Sequence, residues 1–130
     1  MNKSQFIAGK WILIVEDDPE ISELLEILLI SNGYNVVRAS DGNEAFEIYR
    51  SHSPKFDLVI SDLGLPSLGG LELFQKIFSI DNSVKFIASS GYNHKNFSEE
   101  LKIQGIRAFL PKPYHAESLL QTIKKILEED

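Results

Sequence analysis

The sequence has no cysteine among its 130 residues. That excludes a disulfide framework and any thiolate-ligated metal site. No apolar run approaches the ~20 residues that cross a bilayer as a helix. The N-terminus, MNKSQFIAGK, offers one lysine ahead of a very short apolar patch and lacks the form of a secretory signal. These shortages point to a cytoplasmic chain with no membrane element. Basic charge is also scarce, with 13 Lys and Arg against 19 Asp and Glu, a net charge of −6. Direct nucleic-acid binding needs a basic patch and is not expected. No glycine-rich phosphate loop follows the first predicted strand, which argues against nucleotide binding of that kind. The three histidines, His52, His94 and His115, stand apart from one another and read as surface residues rather than ligands or phosphoacceptors.

What is present is an ordinary globular composition, 43% apolar and 25% charged. The length suits one domain with a real core. Residues 1–10 show no clear period and are expected to form an arm; 11–130 are expected to form the domain. Trp11 to Val15 (WILIV) is a continuous apolar run, the pattern of a strand covered on both faces. Asp18 and Pro19 then open a helix as cap and first residue. Its core face is Ile21, Leu24, Leu25, Leu28 and Leu29, and Asn32-Gly33 stops it. Tyr34 to Ala39 is a second strand. Asp41 to Glu44 has capping-box form before a short helix with Ala45, Phe46, Ile48 and Tyr49. Leu58 to Ile60 is a third strand ending in Ser61-Asp62, and a helix follows with Leu71, Leu73, Phe74, Ile77 and Phe78. Val84 to Ala88 gives a fourth strand, ending in Ser89-Ser90-Gly91. A weak fourth helix is expected near 95–104, anchored by Phe97 and Leu101. Ile106 to Leu110 is a fifth strand, and Ala116, Leu119, Leu120, Ile123 and Leu127 mark a last helix. Strands alternating with helices imply a parallel α/β sheet covered on both faces by right-handed crossovers.

The strand C-termini of such a sheet lie on one edge, where open α/β sheets bind ligands. Strand one brings Glu16 and Asp17 there, strand three Asp62, strand four Ser90 and strand five Lys112. Clustered acids repel and need a counter-ion. An oxygen-only donor set suits a hard cation such as Mg2+, which commonly binds beside a phosphate. Lys112 would balance a phosphoryl group, and a serine hydroxyl can donate to one of its oxygens. The chemistry this allows is phosphoryl transfer to a carboxylate, with positioning and charge stabilisation as the main contributions.

In four segments the chain resembles a response regulator receiver domain of two-component signalling, of the CheY-like superfamily. They are ILIVEDD (12–18), DLVISDLGLP (57–66), IASSGY (87–92) and FLPKPY (109–114). The resemblance implies a flavodoxin-like fold with strand order 2-1-3-4-5. It implies that Asp62 accepts a phosphoryl group from a phosphohistidine on a histidine kinase or histidine phosphotransfer protein. Asp17 matches the direct Mg2+ ligand, Glu16 the neighbouring acid, and Gly64 would lend its backbone carbonyl to the metal. Ser90 matches the switch hydroxyl, Phe109 the switch aromatic and Lys112 the phosphate-pairing lysine. Phosphorylation would then reshape the face made by the fourth helix, fifth strand and last helix. No cofactor beyond Mg2+ is implied, and the only reactions catalysed would be the domain's own phosphorylation and dephosphorylation. A cis bond at Lys112-Pro113 is usual in this family.

The chain departs from the family pattern at three places. Gly64 stands where many receivers carry a larger polar residue, Phe109 replaces the commoner tyrosine, and His115 stands where a helix cap is preferred. Ile27 and Ile30 fall off the core face of the first helix, which in receivers docks a kinase's helical bundle. DLGLPSLGGLELF is similar to receivers attached to hybrid kinases, so an output domain or the rest of a hybrid kinase could belong to a longer chain. Plainer readings exist for each residue. Asp62 could be a polar strand end, Glu16-Asp17-Asp18 a solvated cap and Phe109 simply core, and Ser89 competes with Ser90 for the switch position. The rival functions are a non-phosphorylated pseudo-receiver, which would be expected to lose Asp62, Asp17 or Lys112, and a Mg2+-dependent phosphotransferase. The latter normally has a second acid two residues after its nucleophile, where this chain has Gly64.

Overall fold

The computed structural model describes residues 9–51, 54–65, 68–90 and 104–129. The elements are β1 (Trp11–Val15), α1 (Pro19–Ser31), β2 (Asn35–Ala39), α2 (Gly42–Arg50), β3 (Leu58–Asp62), α3 (Gly70–Ile80), β4 (Phe86–Ser90), β5 (Ala108–Pro111) and a last helix α4 (Ala116–Glu128). The strands form one parallel sheet in the order β2-β1-β3-β4-β5. This is the expected flavodoxin-like arrangement. Its consequence is that β1 and β3 lie side by side, with Val15 opposite Ser61. Residues 91–103, which include the expected fourth helix with Phe97 and Leu101, lie outside the described residues. So do His52, His94 and Pro66.

Strand alternation splits the core in two. Leu13, Val15, Val59, Phe86 and Ala88 face α2 and α3, where they meet Ala45, Tyr49, Leu73, Phe74 and Ile77. Ile12, Ile14, Leu58, Ile60 and Ile87 face α1 and α4, where they meet Leu25, Leu29, Leu119, Ile123 and Ile126. Each fully buried aliphatic side chain contributes about 1.5–3 kcal/mol of transfer free energy, so the doubly covered central strands dominate the fold. The helix starts follow their caps. Asp18 accepts from the amides of Glu20 and Ile21, and Asp41 accepts from that of Glu44. Glu44 reaches back to the amide of Ser40, one residue before the cap. Gly33, at φ 92°, ends α1 in a conformation that favours glycine. His115 caps α4 without a side-chain hydrogen bond.

Two expectations are corrected. Leu24 is 67% exposed and joins Ile27 and Ile30 on the solvent side of α1, because the buried face is centred on Ser22, Leu25 and Leu29. β4 runs two residues later than expected, so both serines lie inside the strand, where Ser89 pairs in register with Asp62. Glu129, just past the last helix, is held in place. It pairs with Arg107 at 2.9 Å, and its carbonyl accepts from Lys85.

Candidate functional site

Three strand ends build the site. Glu16, the residue after β1, is buried, and its Oε1 accepts from Lys112 Nζ at 2.6 Å. Its Oε2 accepts from the amide of Asp18 at 3.1 Å. Asp17 beside it is exposed. Asp62, the last residue of β3, accepts from the amide of Gly64 on Oδ1 and from Lys112 Nζ on Oδ2, both at 3.1 Å. One carboxylate oxygen from each of Glu16, Asp17 and Asp62 lies within 4.8 Å of the others. The expected Glu16, Asp17, Asp62 and Lys112 are therefore brought together. The described contact of Gly64 is through its N–H.

Burial pushes the Glu16 carboxyl up, against the opposing pull of the Lys112 ammonium and the Asp18 amide. Burial pulls Lys112 down, but its bonds to Glu16 and Asp62 outweigh this and leave it raised, so it stays an ammonium. Among the described residues Lys112 is the one ammonium paired within this cluster of three acids, and the excess negative charge calls for a second cation. All three acids offer oxygen, Asp17 is open to water, and among the described residues no softer ligand joins the cluster. That set fits a hard divalent ion that keeps part of its hydration.

Ser90 is buried at the end of β4. It lies on the same face as Ala88, whose register partner on β5 is Phe109. Phe109 is half-buried and packs on the α2–α3 side of the core. Ser89 points the other way, toward the face that carries Asp62, and its hydroxyl is 2.5 Å from that of Tyr114. Sequence reasoning weighed Ser89 only as a rival to Ser90 for the switch position and gave Tyr114 no role. The available signal was a small polar residue in a central strand, which needs a buried partner. The bond between Lys112 and Pro113 is cis, as is usual in the family the sequence resembles.

The loop after Asp62 is held by close packing. A Cβ on Gly70 would lie 2.4 Å from the Asp62 carbonyl oxygen, and one on Gly42 would lie 2.3 Å from that of Leu68. Glycine permits the backbone approach that seats this loop against β3 and α2.

A family model for the response regulator receiver domain matches residues 12–124. The chain belongs to that family. It is similar to the chemotaxis protein CheY of Bacillus subtilis, 32% identical over 117 residues that cover 89% of this chain and 96% of that protein. The response regulator DivK of Brucella anthropi is 31% identical over 91% of this chain and 96% of its own length. The sensor kinase CckA of Brucella abortus is 34% identical over 91% of this chain, which spans only 12% of that kinase. Among solved structures, the CheX–CheY–BeF3–Mg2+ complex of Borrelia burgdorferi matches with a TM-score of 0.89 at 25% identity. That match covers 96% of this chain and 94% of that one. The protein is a receiver domain of the CheY and DivK type, a signalling phosphoacceptor class rather than a classical enzyme. The pseudo-receiver and phosphotransferase readings are not favoured. Among the described residues no helix is long and apolar enough to cross a membrane.

Proposed function

We propose that Asp62 is the residue that takes the phosphoryl group. The observation that carries this is its placement between the Lys112 ammonium, at 3.1 Å, and the acids of β1. In the transfer, the N–P bond of a donor phosphohistidine breaks and a P–O bond to an Asp62 carboxylate oxygen forms. The leaving imidazole nitrogen keeps the bonding pair and takes a proton. Glu16, Asp17, Asp62 and the Gly64 carbonyl would hold Mg2+, which when bound neutralises charge on the transferring phosphoryl oxygens. Lys112 holds one of those oxygens, and the Ser90 hydroxyl donates to another. Ser90 and Phe109 share a sheet face, so movement of the hydroxyl toward the phosphoryl group opens room for the ring to turn inward. This biases the domain between two states, altering the surface around β5 and the last helix.

The donor is a histidine kinase or a histidine phosphotransfer protein. Its docking surface is the apolar stripe of Leu24, Ile27 and Ile30 on α1, each more than half exposed. Residues 11–130 form the receiver unit, whether the unit works alone, with an output domain or within a hybrid kinase. Incubation with phosphoramidate and Mg2+, followed by intact mass, tests the acceptor. The wild type gains one phosphate and Asp62→Asn gains none; a folded wild type that gains none overturns the assignment. Ile27→Asp should slow transfer from the partner while leaving phosphorylation by phosphoramidate unchanged. Equal transfer at equal stability would remove α1 as the docking face.

A further inference from the structure

Tyr114 and Ser89 form a hydroxyl pair that the acceptor chemistry does not use directly. Ser89 is completely buried in the strand beside β3, in register with Asp62. A hydroxyl buried there without a partner would carry a desolvation cost. Its partner is the Tyr114 hydroxyl at 2.5 Å, on a ring that packs against the α1–α4 side of the core. Tyr114 lies two residues after Lys112. On the other side of this pair of residues, the Lys112 amide donates to the Ser90 carbonyl at 2.9 Å. The segment carrying Lys112 is therefore fastened to the end of β4 twice, once by the lysine's own amide and once beyond Pro113. Between these anchors the ammonium reaches Glu16 and Asp62.

A lysine side chain has a long flexible stem. Its ammonium stays on a chosen oxygen only if the backbone beneath it is fixed. Displacements of about 1 Å at a reacting centre can cost on the order of a hundredfold in rate. We propose that the Ser89–Tyr114 pair is a positioning device that aims the Lys112 ammonium at Asp62 and so sets the rate of phosphoryl gain. This rests on Asp62 being the acceptor. Both residues act through Lys112 and touch no phosphoryl oxygen.

A double-mutant cycle on the full chain, read as the rate of phosphate gain from phosphoramidate with saturating Mg2+, tests the device. Tyr114→Phe keeps the ring and removes only the hydroxyl. It should slow phosphate gain by about fivefold to tenfold, close to the worth of one hydrogen bond. Ser89→Ala should do the same independently, should either variant fail to fold. In a Lys112→Ala background the same changes should alter the rate by less than about twofold, because the lysine they aim is gone. Equal losses in both backgrounds would mean a general structural role and overturn the proposal, as would an unchanged rate in both single variants. A wild type that gains no phosphate would instead overturn the acceptor assignment itself.

Discussion

The two edges of the sheet both carry carboxylates, and they use them differently. At the amino edge, Asp57 accepts from the Trp11 amide at 2.8 Å and lies 3.9 Å from Lys10. Asp81 accepts from the Tyr49 hydroxyl and from both the amide and hydroxyl of Ser83. Lys85 and Arg107 hold Glu129 nearby. Each acid there has its own donors, and the result is a fastening. At the carboxyl edge, Glu16 and Asp62 share the Lys112 ammonium, and exposed Asp17 stands beside them. The difference teaches that a carboxylate signals chemistry through local imbalance of charge and donors, not through its presence.

Substitutions should separate the two edges, beginning at the carboxyl edge. Lys112→Ala should slow phosphate gain from phosphoramidate by on the order of a hundredfold, the usual cost of losing a preorganised charge at a reacting group. A time course of intact mass measures it. Asp17→Asn should raise the Mg2+ concentration needed for half-maximal phosphate gain by about tenfold or more; a metal titration of the rate checks this. At the amino edge, Asp81→Ala leaves the buried Tyr49 hydroxyl without its acceptor. The expected cost is about 1–3 kcal/mol in urea unfolding, with the rate of phosphate gain unchanged. The smallest effect concerns pH. Hydrogen bonds from Ser83 and then Tyr49 hold the Asp81 carboxyl below its usual range. A depressed folded value means this stability is present above the ordinary carboxylate range and is lost as pH falls through the folded value. Urea midpoints of the wild type should therefore fall more steeply on acidification than those of Asp81→Ala.

Much of this contrast was legible in the sequence. WILIV read as a doubly covered strand and Leu58 to Ile60 as a strand because both are in fact central in the sheet, and the strand ends then collected Glu16, Asp17, Asp62 and Lys112 on one rim. Register was harder. The serines at 89 and 90 looked like a strand terminus, yet they complete β4, because pairing with β3 continues as far as Asp62. A periodic apolar pattern could not say that Leu24 belongs with Ile27 and Ile30, since leucine serves a core face and a docking face equally well. Tyr114 closed the FLPKPY segment but carried no local sign of its partner. Its partner lies 25 residues earlier in the chain, and only the cross-strand geometry joins them.

Gly42 and Gly70 leave the acceptor loop with a one-sided tolerance. A side chain can be trimmed at most positions, but these two have nothing left to remove, and a single added carbon would meet a carbonyl oxygen at 2.3 and 2.4 Å. Every possible substitution there is an enlargement, and each would push the loop in the same sense, away from its seat. Errors at these positions cannot cancel, so the approach to Asp62 works like a door frame that can be narrowed or bent but never eased.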